Sequence, residues 1–142
     1  NQMAETVLSG VSSASVPNVW PHVEKFIKKA CEYSRGQITP AAVYAELLQG
    51  DAQLWVASSE QRGIESGVIT KITDNTLRRI CTIEALGGNS HQRWMSHLHT
   101  IEEWASAKGC NAVQVNGRRG WAKMLRDYKL TSITLEKELG NE

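Results

Sequence analysis

The chain has 142 residues, 41% hydrophobic and 22% charged, with a formal net charge of +1. This length suits one domain spanning 1–142, able to bury roughly two-thirds of its unfolded surface without staples. The near-even charge argues against a dedicated nucleic-acid binder, no apolar run approaches the roughly 20 residues of a membrane span, and the first residues lack the basic region and long apolar core of a signal peptide.

Cys31, Cys81 and Cys110 are odd in number, show no CxxC spacing and each sit inside an apolar pattern. They read as buried free thiols of a reducing compartment, so a cytoplasmic protein is expected. Asn1-Gln2 ahead of Met3 reads as an extraneous remnant, and residues 1–4 are expected to lie outside the ordered domain.

Residues 5–16 are small and β-branched and predict a short edge strand running into a loop. A helix is expected to open at Pro17-Asn18, with Asn18 as cap and Pro21 in the first turn, where backbone N–H groups lack partners anyway. Val19, Val23, Phe26, Ile27, Ala30 and Cys31 form its apolar stripe, opposed by Glu24, Lys25, Lys28 and Lys29. Thr39-Pro40 signals a second helix start, Thr as cap and Pro at the first helical position. That helix carries Val43, Leu47 and Leu48 and stops at Gly50. Strands are expected over 53–57, 67–72 and 79–86. The turn-like joints at Glu60-Gln61-Arg62-Gly63 and Thr73-Asp74-Asn75 make them an antiparallel meander.

The third of these strands is expected to break on Gly87-Gly88-Asn89-Ser90 and to feed a helix over 90–108. Trp94, Leu98, Ile101 and Ala105 recur there at helical spacing, Met95 and Trp104 widen the face, and Gly109 ends it. A glycine-rich strand–helix joint gathers backbone N–H groups and the positive end of a helix dipole, an arrangement that suits phosphate or pyrophosphate. The bland alternative is an ordinary αβ turn that uses glycine for its conformational freedom. A strand over 112–115, a short helix over 118–127 and a last strand over 133–137 complete the order β-α-α-β-β-β-α-β-α-β.

That order, with a phosphate-type joint after the fourth strand, resembles the GCN5-related N-acetyltransferase (GNAT) superfamily over nearly the whole chain. WASAKGCNAVQVN resembles the family's helix end, glycine and fifth strand closing on asparagine, here Asn116. NGRRGWAKMLRDY resembles the segment running from that asparagine to an aromatic, here Tyr128, which begins the final hairpin. The chain also looks like small GNAT-like proteins of phage and prophage genomes, with QLWV near Gln53, a GGN-type joint and a GRxGWAxxL helix. The chain departs from the family's Q/R-x-x-G-x-G/A loop, reading GGNSHQRW with no glycine inside the first helical turn. The helix-four tyrosine that often reprotonates the departing thiolate falls on Lys123.

The resemblance implies an α/β (α+β) fold: a twisted, mostly antiparallel sheet with one parallel pair and helices on both faces. It implies acetyl-CoA as acyl donor, lying where the fourth strand splays from the fifth. Leu86, Gly87, Gly88, Asn89, Ser90, His91, Arg93 and Asn116 are then the cofactor-binding positions, and the acceptor is a small-molecule or protein amine. Glu84 falls in the fourth strand, where several members place the carboxylate that deprotonates the amine. Its bland reading is a solvent-facing residue on an alternating strand. The other class of function is a non-catalytic GNAT-like, phage-encoded protein acting through protein–protein contact in a bacterial host cytosol; a homodimer suits either class.

Three further features have mostly structural readings. His97 and His99 lie two apart on a helix and do not share a face, so no metal is expected. Arg118, Arg119, Lys123, Arg126 and Lys129 against Asp127 form a basic strip. It suits the 3′-phosphate of CoA, an acidic substrate or nucleic acid, but most often such a strip is a solvated helix face. Trp20, Trp55, Trp94 and Trp104 read as core, while Trp121 is a candidate for a groove or a subunit contact.

Overall fold

The computed structural model describes residues 6–34, 36–88, 94–116 and 125–141. Five strands form one sheet in sequence order: β1 Val7–Val11, β2 Gln53–Ser59, β3 Gly63–Asp74, β4 Arg79–Gly88 and β5 Ala112–Val115. The first three pairings are antiparallel, and β5 joins β4 in parallel. A 14-residue helix, α3 (Trp94–Ala107), supplies the crossover that a parallel pair needs. The mixed, mostly antiparallel α+β sheet expected from the sequence is the observed one.

Alternation along the strands builds two cores. Leu54, Val56, Ile69 and Ala85 face α1 (Val16–Glu32) and α2 (Pro40–Gln49), whereas Trp55, Ala57, Val68, Cys81 and Ile83 face α3. Helices on both faces explain why the middle of β3 is buried without interruption. Inside the α3 layer, Trp55 Nε1–H donates to Thr70 Oγ1 (3.0 Å), whose hydroxyl donates to Gln53 Oε1 (2.9 Å). That chain satisfies polar groups that would be costly to bury unpaired.

Several boundaries differ from expectation. α1 begins at Val16, after a 3-10 turn at Ser13–Ser15, so Asn18 lies inside the helix instead of capping it. Its buried stripe is Val16, Trp20, Val23, Ile27 and Cys31, a tighter i, i+4, i+7 run than the expected one; Val19, Phe26 and Ala30 flank it half-buried. In α2 the Thr39 cap holds, its Oγ1 accepting from Ala42 N, and Gly50 closes the helix at φ 82°. Leu48 is exposed, however: the buried positions of α2 are Val43 and Leu47, with Tyr44 half-buried against the same core. Met95 likewise points outward, and the buried position one turn from Trp94 and Ile101 is taken by His97.

The strand expected over 133–137 does not form. Ile133 and Leu135 are largely exposed, and no strand pairs with this segment among the described residues, so its alternating pattern has no ladder to join. Of the helix expected over 118–127, residues 118–124, Trp121 among them, lie outside the described residues. Residues 126–127 form a turn. Cys31 and Cys81 are buried free thiols, and Cys110 is only half-buried.

Candidate functional site

The gap between β4 and β5 is set by a difference in length. Register pairs run from Ile80↔Ala112 to Ile83↔Val115, and a last bond joins Asn116 N–H to the Ile83 carbonyl at 3.1 Å. Beyond it β4 continues through Glu84 to Gly88 without β5 beside it, leaving that side of its backbone unpaired among the described residues. Glu84 and Asn116 therefore meet at the fork.

Alternation after Ile83 turns Glu84 to the α1/α2 face, and a bulge at this point brings Ala85 to the same face. Opposite β4, Ile69 pairs with Ala85 but Thr70 pairs with Ile83, so Glu84 is the extra residue. Cys81 and Ile83 face α3 before the bulge, and after it Ala85 faces α1. Glu84 thus lies on the α1/α2 side at the point where the strands part. Burial there raises its pKa, Lys71 works in the opposite direction, and Glu46 adds to the rise. A half-buried carboxyl with a raised pKa is suited to proton transfer nearer neutral pH. Lys71 Nζ is bonded to Glu46 Oε2 at 2.7 Å, and that contact, above all, raises its own pKa.

On the opposite, α3 side, a cavity of about 20 Å³ lies below the fork. Its walls are Val68, Ile83, Leu86, Trp94, Leu98, Ile101, Val115 and Leu125, which turn only apolar atoms toward it. The space is large enough for a water-sized group, but its lining offers water no hydrogen-bond partner.

The other expected site positions separate into three sets. Leu86 lines the apolar cavity, so it stands on the α3 side of the unpaired β4 stretch. Gly87 and Gly88 do not interrupt the strand as expected; they are its last two residues, in register with Gly67 and Ser66. Their lack of a side chain is already required by packing. A Cβ on Gly87 would strike the Phe26 carbonyl oxygen of α1, and one on Gly88, at φ 139°, would strike Ser66. Asn89, Ser90, His91 and Arg93 lie outside the described residues, as does Lys123.

Sequence reasoning missed Glu46 and Lys71, which meet across 25 positions and belong to no motif. It also missed the anchoring of Tyr128. Its hydroxyl donates to Glu102 Oε2 of α3 at 2.6 Å, and Glu102 Oε1 lies 3.0 Å from His99 Nδ1. Burial and the Glu102 carboxylate hold the Tyr128 phenol well above its usual pKa. With Leu125 buried beside it, this contact ties the described C-terminal segment to the cavity wall.

This arrangement is the fold of GNAT-like acetyltransferases. An aminoglycoside acetyltransferase from an uncultured soil metagenomic sample, in complex with sisomicin, superposes with a TM-score of 0.68 at 14% identity, covering 94% of this chain and 96% of that one. A tetramutant of the BH1408 protein of Bacillus halodurans gives 0.65 at 14% identity over 94% and 99% of the two chains. A Trypanosoma brucei acetyltransferase gives 0.64 at 11% identity over 95% and 100%. No protein-family model and no curated protein matches the sequence. Among the described residues, no helix is long and apolar enough to cross a membrane.

Proposed function

We propose that this chain is an acyl-CoA-dependent N-acyltransferase that uses acetyl-CoA to acetylate an amine. The observation that carries the reading is the Glu84 bulge: a desolvated carboxylate placed where β4 leaves β5, in a fold shared with acetyltransferases. In this reading the unpaired backbone of 84–88 and Asn116 receive the donor along the fork, and 87–93 takes its pyrophosphate. The apolar cavity, the size of about one water, matches a single methyl group such as that of an acetyl and nothing longer. Glu84 takes the proton from the acceptor nitrogen as it attacks the thioester carbonyl; the C–N bond forms, the C–S bond breaks, and CoA leaves as the thiolate, to be protonated to the thiol. The acceptor in this reading is a small amine-bearing molecule, by analogy with the aminoglycoside acetyltransferase of similar fold in complex with sisomicin, and the setting is the cytoplasm.

Calorimetric titration with acetyl-CoA and CoA, followed by an acetylation assay over a panel of amines, tests this. Micromolar binding and turnover that falls about 10²–10⁴-fold in Glu84→Gln support it. Absence of binding up to millimolar donor refutes it.

A second reading is a non-catalytic GNAT-like protein, phage-encoded, that binds a partner protein or a second copy of itself. The specific observation in its favour is the row of exposed apolar side chains at Leu130, Ile133, Leu135 and Leu139, which a partner would cover. Failure of donor binding together with concentration-dependent association would favour it.

A further inference from the structure

The α1/α2 face of the sheet carries an ion pair beside Glu84 whose partners are held in different ways. Glu46 sits in the last turn of α2, and its own carbonyl accepts from Asp51 N (2.9 Å) and Ala52 N (3.3 Å). Its backbone is therefore fixed by the helix end. Lys71 stands on β3 in register with Thr82. Glu84 is two residues further along β4 on that same face, so Lys71 and Glu84 are diagonal neighbours, at a Cβ separation of roughly 7–8 Å or somewhat less. The four-carbon stem of a lysine spans that distance. Lys71 has two carboxylates within reach and is bonded to the one that is not at the fork.

Among the described residues, few other charges bear on Glu84. Lys71 from β3 and Glu46 from α2 act on it directly, and Asp51, in the turn after α2, acts on Lys71. From α1 the sheet receives only apolar side chains, while His22, Glu24, Lys25, Lys28, Lys29 and Glu32 are exposed. A general base needs free oxygen lone pairs facing its substrate. An ammonium closing directly on Glu84 would occupy those oxygens and make the carboxylate a weaker base, whereas one held a few ångströms away only favours its ionised form.

We propose that Glu46 is a positioning residue for Glu84: it holds the Lys71 ammonium on the α2 side, leaving the Glu84 carboxylate ionisable and unoccupied. The inference rests on the reading of Glu84 as the base. It adds that the base is kept available by a carboxylate 38 positions away in sequence through an intervening lysine.

The test is a carboxyl-carbon NMR titration of Glu84 on protein labelled with 13C-glutamate, its resonance assigned by loss in Glu84→Gln. Glu46→Gln should release Lys71 onto Glu84 and move the Glu84 midpoint down. Lys71→Met should move it up. In the double variant the midpoint should lie below that of Lys71→Met only by the direct repulsion of Glu46, a smaller step than Glu46→Gln produces when Lys71 is present, because the larger part of the effect passes through Lys71. Glu46→Asp, which keeps the charge, should retain most of the wild-type behaviour, and melting temperatures check that each variant is folded. A midpoint in Glu46→Gln that is unchanged or raised overturns the proposal. So does a downward shift that persists at full size without Lys71, which would mean simple loss of repulsion. With an acceptor in hand, the acidic limb of the kcat/KM profile should follow the same directions. If the titrations behave as expected while Glu84→Gln retains full turnover, the clamp exists and the general-base reading fails; the two failures are therefore distinguishable.

Discussion

Gly87→Ala probes whether the glycine pair at the end of β4 serves packing. The added Cβ would run into the Phe26 carbonyl oxygen, with the Phe26 carbonyl carbon at 3.0 Å and the Ala30 Cβ at 3.4 Å. All three are backbone or methyl atoms of α1, with no rotamer to change, so relief requires α1 to lift from the sheet by roughly 1 Å to regain ordinary contact distances. The lift would loosen the packing of Val23 and Ile27, both fully buried against this sheet. Overpacking of this kind costs about 1–3 kcal/mol, partly offset by about 0.4–1 kcal/mol from the stiffer unfolded chain. A net loss of about 1–2 kcal/mol corresponds to a Tm lower by roughly 3–10 °C for a chain of this size. Thermal melts of Gly87→Ala beside Gly10→Ala measure it. The Gly10 Cβ would meet only the Trp55 ring at 3.8 Å, so that variant should melt at or above the wild-type temperature. Equal melting temperatures for the two variants would refute the packing argument and return Gly87 to a purely ligand-facing role. Gly88→Val, the obvious probe of phosphate approach, is confounded for a related reason: position 88 combines a positive φ with a collision against Ser66.

Glu84 has a folded-state pKa above its unfolded value, so the fold favours its protonated form. That advantage is complete below the unfolded pKa, about 4.3, and is lost as pH rises through the folded one. Glu84→Gln should therefore gain in Tm relative to wild type as pH climbs from about 4 toward neutral; a pH-independent offset would sink the assignment. Three thiols should titrate in denatured protein. In the native state Cys110, half-buried, should react first and Cys81, whose pKa burial pushes up to about 12, last. A native Cys81 that reacts as fast as Cys110 would contradict its burial. Tyr128→Phe should cost about 1 kcal/mol and speed hydrogen exchange around 125–128, since it removes the bond to Glu102. Exchange unchanged from wild type would show that the segment is held by Leu125 alone.

The sequence by itself determined the parts that depend on local pattern. Helical spacing marked Val23, Ile27, Leu47, Leu98 and Ile101 as core, Thr39-Pro40 and Gly50 bounded α2, and the turn at Asn75 was legible because its side chain accepts from Leu77 N and Arg78 N. Glu84, Leu86, Gly87 and Gly88 were legible as a neighbourhood, since strand, glycines and helix follow one another along the chain. Their roles were not, because side-chain direction in a strand depends on register against a neighbour. One unpaired residue opposite Ile69 and Thr70 decides that Ala85 joins Glu84 on the α1/α2 face while Leu86 returns to the α3 side. Only the packing of α1 explains Gly87, and only the end of β5 at Val115 sets where the fork opens. The final alternating segment shows the same limit from the other side: its pattern permits a strand, but a strand exists only where another supplies the hydrogen bonds, and that partner is a property of the fold. Glu46 with Lys71, and Glu102 with Tyr128, are contacts between residues 25 and 26 positions apart, brought within hydrogen-bond reach by tertiary packing.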